Sequence, residues 1–222
     1  MHKKIKYDSK DISSKMVRRL TKYLRVLKDI KKKKDRVNSV ELATKMNTTA
    51  SQVRKDLSTF GEFGVRSKGY DLDHLINIIE SILGIDEDNK VIIIGFGNMG
   101  RLLSSNTDVL GKGFVITGIF DNNKDKIGTK VEKIGLEVLD YSQVAKFIKE
   151  EKITSCILAV NREFAQEVSE ELIEYGIKAI LNLTTKRLHL PEDIATVEID
   201  FSIKLQELNF WRKYKNIKYG NN

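Results

Sequence analysis

The sequence predicts an α/β protein in which an N-terminal winged-helix (helix-turn-helix) domain precedes a doubly wound parallel sheet and a C-terminal helix. Three observations lead to this fold class. Short helical patterns joined by a tight turn fill much of the region before residue 60. From residue 91, apolar strand-like runs alternate with helical patterns, which is typical of a parallel sheet covered by helices. A last helical pattern carries many large apolar residues.

Length and composition suit two compact domains without a membrane segment. A chain of 222 residues is long enough for two domains that each bury a core. No apolar run approaches the ~20 residues of a spanning helix, and the first residues lack the apolar segment of a signal peptide. Cys156 is the single cysteine, so no internal disulfide is expected, and the histidines lack metal-ligand spacing. We therefore expect a cytoplasmic protein that binds no metal.

The positive charge of the chain belongs to its N-terminal part. Residues 1–80 hold 20 Lys and Arg against 10 Asp and Glu, whereas residues 81–222 hold 19 against 21. A basic region joined to a nearly neutral one points to a polyanionic partner for the basic region. Nucleic acid is the most plausible such partner.

The first helical pattern is amphipathic. Met16, Leu20, Leu24 and Leu27 recur at helical spacing, and cations occupy much of the remaining face. The lysine run at 31–34 has two interpretations, a DNA-contacting arm or a solvated helix end.

Two short helices joined by a tight turn come next. Ser39 is expected to cap the first, which ends at Met46, and Asn47 begins the turn. Thr49 and Gln52 have the spacing of a capping box at the start of the second helix. Such a pair is a helix-turn-helix, whose second helix enters the major groove of DNA. The residues expected to contact DNA from it are Ser51, Gln52, Arg54, Lys55 and Ser58.

A β-hairpin is expected between Gly61 and Asp71. Glycines at both ends permit the chain reversal, and Arg66 and Lys68 lie near the tip. There they could enter a minor groove or touch phosphate, which makes the hairpin the wing of a winged helix. The alternative for Arg54, Lys55, Arg66 and Lys68 is ordinary surface charge.

A dinucleotide fingerprint follows the basic region. Four β-branched residues in a row, beginning with Val91, suit a strand buried on both faces. Gly95, Gly97 and Gly100 follow at the spacing of the motif, and the helix that they open would aim unpaired N–H groups at a pyrophosphate. Asp121 ends the next strand. Its carboxylate can accept hydrogen bonds from ribose hydroxyls and would repel a 2′-phosphate, which favours NAD(H) over NADP(H).

Alternating elements after Asp121 extend a Rossmann-type sheet. They are expected, in order, as a helix at 141–151, a strand at 155–160, a helix at 162–175, a strand at 179–183 and a strand at 196–200. Ligands of such sheets lie beyond the carboxyl ends of the strands, so Asn161 and Thr184 are expected to face the cofactor. The alternative is that either is an ordinary loop residue.

The C-terminal helical pattern is too apolar for a free helix. It carries a set of large apolar side chains, namely Phe201, Leu205, Leu208, Phe210, Trp211, Tyr214 and Ile217. We expect this helix to pack on a second copy of the chain, and the alternative is that it folds back on its own domain. The expected domains are thus a winged helix at 1–84, a Rossmann domain at 85–200 and a dimerisation helix at 201–222.

Several sequence blocks match one known family over nearly the whole chain. They are Tyr23-Leu24-Arg25, Gln52-Val53-Arg54-Lys55-Asp56-Leu57-Ser58, Phe60-Gly61-Glu62-Phe63-Gly64, Gly95-Phe96-Gly97-Asn98-Met99-Gly100-Arg101 and Leu190-Pro191-Glu192-Asp193. With these blocks the chain closely resembles the Rex family of redox-sensing transcriptional repressors. The block from Gln52 to Ser58 is specific in combination with the glycine fingerprint, although neither is specific alone.

The resemblance implies a homodimer that binds an inverted-repeat operator and is released by NADH. It also implies that Arg25 and Asp200 form a polar clasp between head and cofactor domain, beside Phe201 at the start of a helix swapped between subunits. The residues expected to hold NAD(H) are Gly95, Phe96, Gly97, Asn98, Met99, Gly100, Asp121, Asn122, Lys126, Ala159, Val160, Asn161, Asn182 and Thr184.

Departures from the family pattern leave two alternatives open. Asn106, Asn161 and the segment 182–185 differ from it where the resemblance places the nicotinamide end. One alternative is therefore a paralogue with altered redox discrimination or with another nucleotide ligand, such as coenzyme A. The other is an NAD-dependent dehydrogenase, which the sequence disfavours because little more than a tail follows Asn182 and His189 is the lone nearby proton donor. No catalytic residue is therefore expected.

Overall fold

The structure is a computed structural model that describes residues 12–61, 64–65 and 69–219. It divides into two compact units, residues 1–88 and residues 89–222, called unit 1 and unit 2 below. The three-region division at residues 84 and 200 stays a prediction.

Unit 1 contains helices and short strands. In chain order they are α1 (Ser14–Lys31), β1 (Arg36–Val37), α2 (Ser39–Met46), α3 (Ala50–Ser58), β2 (Gly64–Val65), β3 (Gly69–Asp71) and α4 (Leu72–Ile82). The strands form an antiparallel sheet in the order β1-β3-β2, with Val65 opposite Gly69 and Val37 opposite Tyr70. The predicted hairpin strands are therefore present. The additional strand β1 was not predicted because it is only two residues long.

The core of unit 1 joins helices α1 to α4. Leu20 and Leu27 of α1 pack in one buried cluster with Leu57 of α3 and Leu75 of α4. Leu20 and Leu27 lie on the apolar face that the helical spacing predicted for α1. Leu57 packs α3 against the rest of the unit, and the other face of α3 is exposed to solvent.

Two details of helix capping differ from the prediction. Asn38, not Ser39, caps α2, because its Oδ1 accepts from the Glu41 amide at 2.9 Å. Thr49 does cap α3 and accepts from the Gln52 amide at 3.1 Å. The predicted capping box is incomplete, since the Gln52 side chain bonds to Asp56 instead of turning back to Thr49.

Unit 2 alternates strands with helices. Its elements are β4 (Asn89–Ile94), α5 (Asn98–Ser105), β5 (Phe114–Asp121), β6 (Lys130–Val131), β7 (Leu136–Asp140), α6 (Val144–Glu151), β8 (Ser155–Leu158), α7 (Ala165–Glu174), β9 (Ala179–Asn182), β10 (Ala195–Glu198) and α8 (Phe201–Tyr219). Over the residues described, the strands form one sheet in the order β10-β9-β8-β4-β5-β7-β6. Each neighbouring pair is parallel except β6 with β7.

The fingerprint strand β4 lies at the centre of this sheet and is buried on both faces. Ile92 and Ile94 join the cluster that packs under α6 and α7, whereas Val91 and Ile93 join the cluster under α5. This arrangement accounts for the unbroken β-branched run, since alternate side chains of a strand face opposite sides. Cys156 of the adjacent strand is buried, and burial raises the pKa of its thiol to about 12, which fits an inert core residue.

Strands β6 and β7 were missed by the sequence analysis. Strand β7 pairs in parallel with β5, so it, and not β8, is the third parallel strand along the chain. With five residues and a single buried side chain, Val138, it carries a weak strand pattern. Two predicted helices also begin later as α-helices, because short 3₁₀ turns at 141–143 and 162–164 precede α6 and α7.

The last helix, α8, presents large apolar side chains to solvent. Phe201, Leu205 and Leu208 are each 64% exposed, and Trp211 is 41% exposed.

No helix within the described part of the chain is long and apolar enough to span a membrane. The same residues contain no cluster of His, Cys, Asp and Glu suited to a metal ion.

Candidate functional site

The three fingerprint glycines have different surroundings. Gly95 has φ +97°, and a Cβ there would lie 2.6 Å from the Ala159 carbonyl oxygen. A Cβ on Gly100 would lie 2.1 Å from the Gly95 carbonyl oxygen. Packing therefore requires glycine at both positions. A Cβ on Gly97, in contrast, would meet no atom within 4 Å, so the protein itself does not require glycine there.

Helix α5 begins at this turn without a side-chain cap. Gly97 is its N-cap residue and supplies no side chain, so the first amides of the helix lack that partner. Unpaired amides and the positive end of a helix dipole attract anions. Together with the free space at Gly97, they form a place where a phosphate can approach the backbone.

Asp121 lies beside the same turn at the end of β5. Its Oδ2 accepts from the Phe96 amide at 2.7 Å and from Lys126 Nζ at 3.0 Å, and its Oδ1 accepts from the Asn123 amide at 2.9 Å. Burial by itself would raise the pKa of Asp121, but the bonds from Asn123, Lys126 and Phe96 hold the pKa below its ordinary value. Asp121 is thus a carboxylate at neutral pH.

A cleft of ≈ 280 Å³ opens at the carboxyl ends of the central strands. It brings together eight of the predicted cofactor residues, which are Gly95, Gly97, Asp121, Asn122, Lys126, Ala159, Val160 and Asn161. The other predicted residues of the turn do not line it, namely Phe96, Asn98, Met99 and Gly100. Phe96 is buried, where its ring stacks 4.8 Å from the Arg101 guanidinium, and its amide orients Asp121.

Asn182 and Thr184 do not line the cleft either. The Asn182 side chain is fully buried, and its Oδ1 accepts from the amide and the hydroxyl of Thr184 at 2.9 and 2.7 Å. Its Nδ2 donates to the Lys186 carbonyl at 2.8 Å. The two side chains therefore bond within their own turn after β9. Neither lines the cleft, so their role in cofactor binding stays a prediction.

One wall of the cleft was missed by the sequence analysis. It contains Tyr141, Phe164, Glu167, Val168 and Glu171. The Tyr141 hydroxyl donates to Glu171 Oε2 at 2.8 Å, and burial together with this carboxylate raises the pKa of Tyr141, which stays a neutral donor. Tyr141 follows β7 directly, so recognising that strand would have placed it at the ligand-binding edge.

The predicted DNA-contacting residues of α3 lie mainly on its exposed face. Ser51, Arg54, Lys55 and Ser58 are exposed, and Gln52 is half-buried. Arg54 Nη1 donates to Ser39 Oγ at 2.9 Å, which joins α3 to the first residue of α2. The predicted contacts at Arg66 and Lys68 fall outside the described residues.

The predicted clasp pairs residues of different units. Arg25 is exposed on α1. Asp200 caps α8, because its Oδ1 accepts from the amide and hydroxyl of Ser202 at 2.7 and 2.6 Å. Phe201 follows it with its side chain exposed. A pairing of Arg25 with Asp200 stays a prediction.

A helix-turn-helix unit and a doubly wound sheet with a dinucleotide-type turn define the class of two-domain regulators that couple a ligand site to a nucleic-acid-binding head. Residues 11–58 match the family described as "Putative DNA-binding protein N-terminus", and residues 86–186 match the family described as "CoA binding domain".

Similar proteins of known name show which family of this class the chain belongs to. The chain is 40% identical over 177 residues to "Redox-sensing transcriptional repressor Rex 1" of Thermotoga maritima, covering 80% of this chain and 85% of the relative. It is 37% identical to "Redox-sensing transcriptional repressor Rex" of Clostridium perfringens, covering 94% and 98%. The chain belongs to the Rex family of redox-sensing transcriptional repressors.

Among solved structures, RSP, a Rex-family repressor, has the same fold. Its complex with β-NAD⁺ and operator DNA matches with a TM-score of 0.86 and 36% identity, covering 94% of this chain and 95% of that one. Its complex with β-NADH matches with a TM-score of 0.83 and 35% identity, covering 94% and 97%. These relatives are named as repressors, which argues against the dehydrogenase alternative.

Proposed function

We propose that this protein is a transcriptional repressor that binds operator DNA through unit 1 as a homodimer and binds NAD(H) in the cleft of unit 2. NADH releases it from the operator. The observation that carries the cofactor proposal is the free space at Gly97, next to uncapped amides of α5 and in the same cleft as Asp121. Its relatives named Rex and RSP support the rest of the proposal.

Each part of the cleft suits one part of a dinucleotide. The amides at the start of α5 would donate to the pyrophosphate over Gly97. Asp121 uses three of its roughly four acceptor positions on protein groups, which leaves capacity for a ribose hydroxyl. The wall that includes Tyr141 and Phe164 would shield the base from water.

The response to NADH requires differential affinity. A ligand shifts an equilibrium between two conformations only by as much as it prefers one of them. The conformation that cannot bind the operator must therefore have the higher affinity for NADH.

The exposed apolar side chains of α8 supply a surface that a second copy of the chain would cover, as an inverted-repeat operator demands. A protein with this function acts in the cytoplasm.

The matched variants Gly97→Ala and Gly100→Ala test the cofactor site. We expect Gly97→Ala to keep the melting temperature, because its Cβ has room, and to weaken NADH binding by at least about 10-fold, because the Cβ excludes the phosphate from charge-assisted bonds worth about 1.5–3 kcal/mol. Gly100→Ala is expected to lower the melting temperature instead, since its Cβ would clash with the Gly95 carbonyl. Unchanged NADH affinity in Gly97→Ala would contradict the proposed site.

Coenzyme A is the second candidate ligand, because residues 86–186 match a family described by that name. Calorimetry with NADH, NAD⁺ and coenzyme A on the same protein separates the candidates. A titration of operator binding across NADH to NAD⁺ ratios then tests the redox response. If only coenzyme A gives a heat of binding, coenzyme A replaces NAD(H) as the proposed ligand.

A further inference from the structure

Asp56 of α3 is a buried carboxylate whose partners are all side chains. Oδ2 accepts from Arg19 Nε at 2.6 Å and from the Tyr23 hydroxyl at 2.9 Å. Oδ1 accepts from Arg19 Nη2 at 2.7 Å and from Gln52 Nε2 at 2.8 Å. These bonds fill the roughly four acceptor positions of a carboxylate. Arg19 and Tyr23 lie on α1, so the carboxylate is held in place from another helix.

This arrangement decides which way the Gln52 amide points. The oxygen and nitrogen of a glutamine amide are interchangeable in shape, and only hydrogen-bond chemistry tells them apart. An ionised carboxylate accepts and never donates, so the Gln52 NH₂ group must face Asp56. Burial would raise the pKa of Asp56, but the bonds from Arg19, Gln52 and Tyr23 hold it below its ordinary value and keep the carboxylate ionised.

The orientation of the Gln52 amide shows which of its atoms can still bond to another molecule. Its Oε1 and the second hydrogen of Nε2 bond to no other group within the described residues. Gln52 lies near the N-terminal end of α3, the part of a recognition helix that meets base edges. It stands one turn before Lys55, whose side chain is exposed.

We propose that Gln52 is a specificity-determining residue that reads an adenine in the major groove and that Asp56 is the residue that positions it. Oε1 accepts from the adenine N6 amino group while the free hydrogen of Nε2 is donated to N7, the bidentate pairing that glutamine makes with this base. Arg19 and Tyr23 act through Asp56. The inference rests on the proposed binding of operator DNA by unit 1.

Selection of bound duplexes from a randomised pool tests the proposal with the full-length chain. The unsubstituted protein is expected to enrich adenine at one position of each half-site. Gln52→Ala should lose the preference at that position by about 10-fold or more and keep the others. Asp56→Asn should relax the same position, because an amide at residue 56 lets the Gln52 amide turn either way. Asp73→Asn, an equal charge change at an exposed pair with Lys31, is the control and should select as the unsubstituted chain does.

The outcomes are separable. Melting curves show whether Asp56→Asn remains folded, and the test stands on Gln52→Ala alone if it does not. An unaltered selection profile for Gln52→Ala overturns the proposal, as does a uniform loss at every position, which is the mark of a phosphate contact. Enrichment of cytosine at the affected position overturns the assignment of adenine. Failure of the unsubstituted chain to retain any duplex overturns the proposed function itself.

Discussion

Asp56 in unit 1 and Asp121 in unit 2 are both buried carboxylates, but they are held in opposite ways. Asp56 bonds only to side chains, and Arg19 and Tyr23 lie more than thirty residues away in the sequence. Asp121 bonds to two backbone amides and one lysine, and it lines an open cleft. The first arrangement ties helices together and is closed to a ligand. The second orders a loop around a carboxylate that still faces a ligand.

The largest expected effect in this comparison is on stability. Asp56→Ala should lower the free energy of unfolding of unit 1 by about 3–5 kcal/mol, because Arg19 and the buried Tyr23 hydroxyl would lose their partner. Hydrogen exchange of the α1 and α3 amides in the full-length chain measures it. Asp73→Ala, which breaks an exposed pair with Lys31, should cost far less, because solvent screens an exposed ion pair. Equal losses in the two variants would remove the distinction between a closed network and a surface pair.

The next effect is on ligand affinity. Asp121→Ala should weaken NADH binding by about 10- to 100-fold, since hydrogen bonds to a charged group contribute about 1.5–3 kcal/mol. Discrimination against NADPH should shrink as well, because Lys126 loses the carboxylate that neutralises it. Calorimetry with both cofactors measures the two changes, and Asp193→Ala, at an exposed carboxylate near Lys178, is the control. NADH affinity equal to that of the control would mean that Asp121 only orders its loop.

The smallest effect is the dependence of stability on pH. Both carboxyl groups have folded-state pKa values below the ~3.9 of an unfolded Asp. Their contribution is therefore complete above that value and is lost as the pH falls through the folded pKa. We expect the free energy of unfolding to decrease on acidification below about pH 4. Asp56→Asn and Asp121→Asn should each flatten that decrease, as denaturant unfolding at a series of pH values would reveal.

The prediction from sequence was strongest where the role of a residue depends on the backbone near it in the chain. Gly95 could be recognised because the turn out of the strand needs a positive φ there, and Gly100 because a Cβ at that point would meet the Gly95 carbonyl. Thr49 could be recognised as a cap, since it bonds three residues away. Ser39 was the wrong cap for α2 because Asn38 offers the same chemistry one residue earlier.

The prediction was weakest where two distant segments meet. The short strand β7 carries too few buried residues to be recognised, and with it Tyr141 and its bond to Glu171 in the cleft wall were missed.

Asn182 is a separate case, because its bonds are local. It stands at the carboxyl end of a strand, as a ligand residue would, but it bonds to Thr184 and Lys186, two and four residues along the chain. An Asn at a strand end suits a turn as well as a ligand site, so the sequence did not distinguish the two.

The sequence by itself determined the glycine turn and the helix-turn-helix, because each depends on spacing within a few residues of the chain. It also indicated two units, because charge is distributed unequally between residues 1–80 and 81–222. Tertiary structure alone decided which carboxylate is closed and which is open. That difference depends on groups that folding brings together from separate elements, namely Arg19 and Tyr23 at Asp56 and the Phe96 amide at Asp121. Such bonds form only when donor and acceptor lie within about 3 Å of each other.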